Sequence, residues 1–368
     1  MKKSLIAMAV LAASGVASAQ STVTLYGLAD VFVGSTKVKT TGAGLSTSQR
    51  QTVIDSGGFN GSRFGLKGSE DLGGGLKANF LLEGGYDIST GAANNYTNPF
   101  TGATSNAIFG RQSWVGVSGG FGELKLGKMW TPYDEVKGSG AGAFDAGIFA
   151  PATGVWASNN YQDRPGNSIY YSTPNLSGFS AAAMYAFGEN KTGATGTPPN
   201  TDAGSIVSAN IQYTGGPFAV ALSHQQQKAT DAQTAVKFTQ LNGSWDFRVV
   251  KLLAAYGQVR NGTTGLFVPP AGTPLVVTPV AVNKSREFQV GVDVPLGAVT
   301  VSGGVARSKL TLASGGNITS TGVGLAAKYD LSKRTFLYTG LQLAKNEAAV
   351  GNGEIKTDTF AVGVQHKF

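Results

Sequence analysis

The sequence predicts an all-β fold in which antiparallel strands close into a membrane-spanning barrel. Polar and apolar residues alternate with a period of two in segment after segment, which is typical of strands with two different environments. Turns rich in Gly, Asn and Asp separate these segments, whose length of about ten residues suits a tilted strand crossing a bilayer. No run of about 18 apolar residues, the length that a membrane helix needs, follows the N-terminal segment.

The stretch from Gly61 to Asp87 shows the pattern most clearly. Its first arm alternates polar with apolar residues: Arg63, Lys67 and Ser69 against Phe64, Leu66 and Gly68. The second arm repeats this with Lys77, Asn79 and Leu81 against Ala78, Phe80 and Leu82. The link Asp71–Gly75 supplies glycines, which adopt positive φ without a Cβ clash. The stretch is therefore predicted to be a hairpin, and the whole protein a ring of such hairpins.

The first nineteen residues are expected to be a signal peptide. Lys2 and Lys3 precede an apolar run that ends in Ala17-Ser18-Ala19, with small residues at the −3 and −1 positions. We expect cleavage after Ala19, so that residues 20–368 form one barrel domain.

The composition narrows the class of protein. The chain has 53 Gly and no Cys, which excludes disulfides and thiolate metal sites. Charged residues make up 14% of the chain, below the roughly 25% of soluble domains. The mean hydropathy of −0.01 is expected when lipid-facing apolar and lumen-facing polar residues cancel. For an exported chain, the net charge of +8 favours a lumen that attracts anions over nucleic-acid binding.

Two kinds of connection alternate along the chain. The short turns are Asp71–Gly75, Gly119–Gly122, Pro174–Gly178, Gly215–Pro217, Asp246–Arg248, Pro295–Gly297 and Asp330–Lys333. The long loops are predicted at about 36–59, 88–107, 131–165, 190–203, 228–235, 261–283, 311–317 and 346–354. Seven turns and eight loops predict sixteen strands, with the short turns on the periplasmic side.

The last predicted strand carries a terminal signature. One face bears Phe360, Val362, Val364, His366 and Phe368, where the sequence stops. This resembles the signal that barrel-assembly machinery reads in outer-membrane proteins. On this face His366 is expected to be an interfacial residue, not a metal ligand.

Motifs spread over the chain resemble the trimeric general porins of Gram-negative outer membranes, in particular their beta-proteobacterial branch. They are VTLYGLAD (Val23–Asp30), SRFGLKGSEDLGGGLKANF (Ser62–Phe80), FGRQSWVGVSGGFGELKLG (Phe109–Gly127), NSIYYSTPNLSGF (Asn167–Phe179), YDLSKRT (Tyr329–Thr335) and VGVQHKF (Val362–Phe368). The resemblance implies a homotrimer in the cell outer membrane, surrounded by lipid and lipopolysaccharide, with a third loop folded into the lumen. The predicted outer face of the first strand, with Gly27 and Ala29, suits close subunit packing.

Three arginines match positions at which this family places constriction residues: Arg63 in SRFG, Arg111 in RQ, and Arg164 in R-x-x-NS. We expect these three to form the basic side of the constriction, extended by Lys67, Lys77 and Lys125. The alternative is that inward charges in a wet lumen are simply paired with carboxylates.

The segment 131–165 is too long and too apolar for a solvated loop, since it contains the stretch AFDAGIFAPATGVW. Burial against the inner barrel wall is the expected solution. Its acids Asp134, Glu135 and Asp145 are then expected opposite the arginines. The alternative is that they are solvated or bind the barrel wall.

No catalytic constellation is present: there is no Cys, His224 is isolated, and no carboxylate pair stands out. We expect no enzyme, no cofactor and no metal site.

The favoured function is passive diffusion of small hydrophilic solutes with moderate anion preference. The alternative is a substrate-selective channel for phosphate, organic acids or sugars. A closed structural barrel is disfavoured, because side chains alone do not fill a ring of sixteen strands.

Overall fold

The computed structural model describes residues 22–42, 45–97, 104–141, 147–188, 203–230, 233–263, 280–347 and 353–368. The expected signal peptide and Asp145 lie outside these residues. Among the described residues, no helix is long and apolar enough to cross a membrane.

Antiparallel strands β1 to β16 follow one another around the sheet in chain order. Their bounds are Thr22–Gly42 (β1), Leu45–Ser56 continued by Arg63–Gly73 (β2), Leu76–Gly85 (β3), Gln112–Gly119 (β4), Gly122–Lys128 (β5), Ser168–Ser172 (β6), Phe179–Phe187 (β7), Ala203–Gly215 (β8), Phe218–Thr230 (β9), Val236–Asp246 (β10), Lys251–Thr263 (β11), Ala281–Leu296 (β12), Val299–Leu312 (β13), Asn317–Asp330 (β14), Thr335–Glu347 (β15) and Glu354–Lys367 (β16).

The ring closes between β1 and β16, which pair from Leu28 with Lys367 to Thr41 with Glu354. Below this ladder the backbone N–H of Gly27 donates to the carbonyl of Phe368 at 3.0 Å. In the described residues the sheet has 17 segments, two of which are the halves of β2 and pair with different parts of β1. The predicted sixteen-stranded antiparallel barrel is thus confirmed.

The two faces of the strands differ as the alternation predicts. Outward apolar side chains are exposed, for example Val33 at 54% and Leu325 at 47%, while their neighbours on the inward face are buried. The outer surface is therefore the apolar surface that a bilayer requires.

The prediction of a long first loop at 36–59 is wrong. Strand β1 continues to Gly42 and β2 begins at Leu45, so residues 36–42 and 45–56 lie in paired strands. The Thr, Ser and Lys residues of this segment gave it the composition of a loop. In the structure Thr36 and Val38 face inward, whereas Lys37 and Lys39 face outward. β-Branched residues in such alternation favour strands.

The break in β2, at residues 57–62, is held from within the barrel. The buried Asp30 carboxylate accepts backbone N–H groups of Gly58 at 3.1 Å, Phe59 at 3.2 Å and Asn60 at 2.8 Å. These bonds satisfy backbone groups that leave the ladder, and they set the position at which β2 resumes with Arg63.

The seven predicted short turns are all found between described strands. Beyond the barrel strands, the long connections contain helix α1 (Pro132–Ala141), a 3₁₀ turn (Ala157–Asn159) and a small hairpin of Asn95–Thr97 with Thr104–Asn106.

The third long connection, 131–165, which we call the inner loop, packs against inward side chains of distant strands. Ser208 Oγ on β8 accepts the backbone N–H of Tyr133 at 3.0 Å, and the Asn210 amide donates to the carbonyl of Pro132 at 2.7 Å. Across the ring, the Gln342 amide on β15 donates to the carbonyl of Thr153 at 2.9 Å. A segment that touches β8 and β15 through inward side chains lies inside the barrel.

Burial of the inner loop follows from its apolar residues. Phe149 packs with Phe32, Phe336 and Tyr338 of the wall, and Tyr133 packs with Phe238. This is the burial that the composition of the loop required.

Inward glycines on β14 let the loop backbone come close to the wall. A Cβ on Gly322 would lie 2.0 Å from the carbonyl oxygen of Pro151, and one on Gly324 would lie 2.2 Å from that of Phe149. No larger residue fits at these positions without moving the loop.

A buried carboxylate fixes the end of the inner loop. Glu287 on β12 accepts the backbone N–H of Ala157 at 2.7 Å and that of Ser158 at 3.1 Å. It also accepts the hydroxyls of Ser158 and, at 3.1 Å, Ser308. The 3₁₀ turn is therefore tied to the wall by its N-terminal N–H groups.

Candidate functional site

The inner arginine cluster consists of Arg63, Arg111 and Arg164 with their partners Glu83, Asp163 and Trp130. Arg63 begins the second half of β2, Arg111 precedes β4, and Arg164 stands at the end of the inner loop. Although far apart in sequence, all three are brought together because β2 and β4 flank β3 on its two sides and the loop returns beside them.

Glu83 on β3 is the centre of the cluster. Its carboxylate accepts the Arg111 Nε–H at 2.8 Å and lies 3.6 Å from Arg63 Nε. The Tyr26 hydroxyl donates to it at 2.9 Å. Only 6% of the Glu83 side chain is exposed, against 27% for Arg63 and 12% for Arg111. One carboxylate thus positions two guanidinium groups.

Trp130 provides the second contact surface. The Arg164 guanidinium lies 4.2 Å from the centroid of the indole ring, and that of Arg111 lies 5.7 Å away. Both are within cation–π range. Arg164 also pairs with Asp163 at 2.9 Å, and Lys128 donates to the Arg164 carbonyl. The arginines are therefore held in fixed directions although their charges are not fully neutralised.

A cavity of about 310 Å³ opens beside Arg63 and Arg111, and Lys367 lines it as well. Lys367 on β16 pairs with Leu28, the residue that also pairs with Arg63 on the other side of β1. The three cations are therefore at one height in the barrel.

The predicted lysines lie at other heights. Lys67 lies 5.3 Å from the Tyr26 ring, four residues below Arg63 on β2. Lys125 Nζ lies 4.9 Å from the Trp114 ring and 4.7 Å from that of Tyr170, and it pairs with Glu123 at 3.0 Å.

The structure does not bring Lys77 to the arginines. It pairs with Asp71 beside the short turn between β2 and β3, six residues and about 20 Å along β3 from Glu83. Alternation assigned Lys77 to the inward face correctly. It does not determine how far along the strand a residue lies from the arginines.

Two predicted acids of the inner loop, Asp134 and Glu135, meet tyrosines and not arginines. The Tyr161 hydroxyl donates to Asp134, and the Tyr170 hydroxyl donates to Glu135 at 2.8 Å. Burial raises the pKa of Asp134. Glu135 is open to the lumen, yet the protein that surrounds it raises its pKa to about 7, against the opposing effects of Tyr170 and Lys125.

Sequence reasoning missed Glu83, Asp163, Trp130 and Lys367. The signal for Glu83 was present, because it continues the inward series of Lys77, Asn79 and Leu81. Lys367 likewise continues the inward series after Gln365 on β16. Trp130 and Asp163 lie outside strands, where no periodicity indicates a direction.

Comparison with known proteins places this arrangement in context. The model of the Gram-negative porin family matches residues 5–349. An outer membrane porin of Bordetella pertussis is 33% identical, and the alignment covers 100% of both chains. Outer membrane porin protein 32 of Delftia acidovorans is 35% identical over 99% of this chain and 95% of its own. The chain belongs to the Gram-negative porin family. It is an outer-membrane porin, and its relatives are channel proteins, not enzymes.

Solved porin structures agree with the fold. The anion-selective porin from Comamonas acidovorans superposes with a TM-score of 0.69 at 28% identity, covering 95% of this porin and 100% of that chain. An outer membrane protein of Vibrio cholerae, solved in trimer form, has a TM-score of 0.63 at 16% identity and supports the fold alone.

Proposed function

We propose that this porin is a passive diffusion channel for small hydrophilic solutes and ions, with a moderate preference for anions. The inner arginine cluster forms the basic side of its constriction. The observation that carries the proposal is the grouping of Arg63, Arg111 and Lys367 around one cavity, with Arg164 beside it on Trp130. Lys67 and Lys125 continue the basic wall below it, and Lys77 is not part of it.

The carboxylates offset this charge only in part. Glu83 and Asp163 are the acids in contact with the three arginines. On the inner loop, a Glu135 pKa of about 7 leaves that carboxyl about half protonated at neutral pH. Asp134 is hydrogen-bonded by Tyr161 and buried beside the wall. A passing anion therefore meets a positive potential, which attracts it and repels cations.

The similar porin from Comamonas acidovorans supports this choice, since it is described as anion-selective.

The further parts of the proposal are export with cleavage after Ala19, assembly as a homotrimer, and recognition of β16 by the barrel-assembly machinery. The outer face of β1, where Ala29 leaves little side-chain bulk and the Phe368 ring covers Gly27, is the proposed subunit contact. Phe368 is well placed as a terminal signal, because its backbone closes the ring with Gly27.

The test is the reversal potential of single channels in asymmetric KCl at low ionic strength. In a wet pore each charge acts on an ion at 4–8 Å with about 0.5–1 kcal/mol. The triple variant Arg63→Gln, Arg111→Gln, Arg164→Gln is therefore expected to lower the anion-to-cation permeability ratio about tenfold, and less in high salt.

Arg307→Gln, on the outer face of β13, removes the same charge outside the lumen and serves as the control. An unchanged reversal potential of the triple variant at low salt, with channels still open, would show that these arginines are not the filter.

A further inference from the structure

Another cavity lies inside the barrel at the loop ends of β8 to β11, and we call it the mouth cavity. Its volume is about 290 Å³. The end of the inner loop, from Asn160 to Gln162, forms one side of it, and the barrel wall forms the other. Because Gln162 is two residues before Arg164, the mouth cavity is next to the inner arginine cluster along the loop.

Residues with amide side chains are the commonest kind in the lining of the mouth cavity. They are Asn160, Gln162, Gln227, Gln233 and Asn261. Thr234 and Thr263 add hydroxyl groups. An amide offers donors at one end and an acceptor at the other, and a hydroxyl offers both. A ligand that suits this lining therefore carries donors and acceptors close together.

Hydrogen bonds fix two of these amides. The Asn160 Nδ2–H donates to Thr263 Oγ1 at 2.8 Å. On the wall, Gln227 Oε1 accepts the backbone N–H of Gln162 at 3.1 Å. Each bond uses one end of the amide, so that the carbonyl oxygen of Asn160 and the amide nitrogen of Gln227 can serve a ligand.

Gln225 supports this arrangement from behind. Its side chain is fully buried, and its Nε2–H donates to the Gln162 carbonyl at 2.9 Å and to Gln227 Oε1 at 3.4 Å. Its own carbonyl oxygen has no hydrogen-bond partner among the described residues, which costs about 1–3 kcal/mol. The lining is therefore held in place before any ligand binds, and this reduces the entropy that binding costs.

The mouth cavity carries little charge. Among the described residues that line it, Lys228 alone is charged. Gln225 and Gln227 bond to the inner loop from the inward face of β9, so alternation assigns Lys228 to the outer face. A charged solute finds no opposite charge here, whereas an anion finds one at the arginines nearby. The lining thus favours a neutral ligand.

Apolar surface completes the lining. It comes from the Tyr161 ring, Ile206 and Val236. The Tyr161 hydroxyl is already occupied, because it donates to Asp134 and accepts from Lys137 Nζ at 3.1 Å. Tyr161 therefore offers a ligand its ring. A molecule with hydroxyl groups around its edge and C–H groups on its faces matches this combination of amides and apolar surface.

We propose that the mouth cavity binds a neutral polyhydroxylated solute of the monosaccharide class. The free ends of the Asn160 and Gln227 amides and the Thr263 hydroxyl bond its hydroxyl groups, while its C–H face lies on Tyr161 and Ile206. The inference deepens the proposed function and rests on it, because it names a solute class for the same diffusion path. Binding is expected to be weak, in the millimolar range, since each hydrogen bond replaces one to water.

The test is saturation-transfer NMR of D-glucose with the full porin, solubilised in a detergent without a sugar headgroup. D-Glucuronate, a sugar ring with a carboxylate, and triethylene glycol, a neutral chain without adjacent hydroxyl groups, are the comparison solutes. D-Glucose is expected to bind saturably and at least tenfold more tightly than triethylene glycol. An equal concentration of D-glucuronate is expected not to displace it.

The variant Asn160→Ala, Gln227→Ala, Thr263→Val is expected to weaken D-glucose binding at least tenfold. The matched control is Gln212→Ala, an inward amide of β8 near the short turn that leads to β9, and it is expected to leave binding unchanged. Heat-modifiable mobility reports folding of each variant. Should the triple variant not fold, the single variants Asn160→Ala and Thr263→Val, both at exposed residues, replace it, with about threefold weaker binding expected of each.

Reversal potentials of the same variants separate this inference from the proposed function. The mouth-cavity variant is expected to lose D-glucose binding and to keep the wild-type anion preference. The variant Arg63→Gln, Arg111→Gln, Arg164→Gln is expected to do the opposite. A pore without anion preference would thus contradict the proposed function and leave the sugar site standing, because the NMR measurement requires no ion current.

Absence of saturable D-glucose binding by the wild-type porin would overturn the proposal. Equal binding of triethylene glycol would overturn the role of the hydroxyl groups, and displacement by D-glucuronate would overturn the choice of a neutral solute. Unchanged D-glucose binding by a folded mouth-cavity variant would overturn the site itself.

Discussion

One group of cations lies on the inner face of the barrel wall and another lies on its outer face. The two groups differ in whether carboxylates pair with them. In the inner arginine cluster, each guanidinium has a carboxylate partner, Glu83 or Asp163, and Trp130 packs against two of them. On the outer face of β10 to β13, Lys237, Arg260 and Lys284 stand side by side across three strands, and no described carboxylate forms an ion pair with them.

The two groups of cations differ in what their charges act on. Charges that act on passing ions must keep fixed positions, and partial pairing provides that while a net positive potential remains. Charges that stand beside like charges without a carboxylate partner repel one another, and this repulsion destabilises the sheet. The two groups should therefore respond in opposite directions to removal of a charge.

The largest effect is expected when the inner cluster loses its central carboxylate. Glu83→Gln leaves Arg63 and Arg111 side by side without their shared partner, which should cost about 3 kcal/mol of stability. The transition temperature for heat modification in SDS should fall, while the anion preference of the surviving channels rises. Glu123→Gln, whose ion pair with Lys125 is more exposed, should cost less than about 1 kcal/mol and is the control. Equal stability of both variants would contradict the central role of Glu83.

The second-largest effect is expected when an inward glycine gains a side chain, and an outward glycine provides the comparison. Gly324→Ala places a Cβ 2.2 Å from the Phe149 carbonyl oxygen, and such overpacking costs about 1–3 kcal/mol. We expect a displaced inner loop and an altered single-channel conductance. Gly303→Ala on the outer face meets nothing nearer than 3.6 Å and should leave conductance unchanged. A wild-type conductance for Gly324→Ala would refute the close approach of the loop.

The third effect is a pH dependence of selectivity. With a Glu135 pKa of about 7, this carboxyl loses its negative charge as the pH falls from 8 to 6. Arginines stay charged over that range, so anion preference should rise at the lower pH. One charge at about 0.5 kcal/mol corresponds to about a twofold change in the permeability ratio. Reversal potentials at the two pH values measure it, and Glu135→Gln should abolish it while Glu123→Gln should not.

The smallest effect has the opposite sign for the two groups. Lys284→Gln removes one of two like charges paired across β11 and β12, which should stabilise the lipid-free porin in detergent by about 0.5 kcal/mol. Arg111→Gln, which breaks the 2.8 Å pair with Glu83, should destabilise it. Both shifts are read from heat-modification temperatures at low salt. Destabilisation by Lys284→Gln would show that the outer cations have partners after all.

The sequence by itself determined which face of each strand meets lipid, because a period of two is a local property of the chain. It also determined the sixteen strands and the short turns, since glycine, Asp and Pro mark the points where the chain must reverse. Alternation correctly assigned Arg63, Lys67 and Lys77 to the inward face. It failed for residues 36–59, where polar strand residues have the composition of a loop.

Only the tertiary structure decided which inward residues share a height. Lys77 and Glu83 lie on one face of β3 but about 20 Å apart along the strand, and only Glu83 reaches the arginines. Lys367 is near the end of the sequence, yet closure of the ring brings it level with Arg63 through Leu28. The register of paired strands and the path of the inner loop depend on contacts between residues far apart in sequence. A period of two assigns a face to each side chain, but only the closed ring assigns its height and its neighbours.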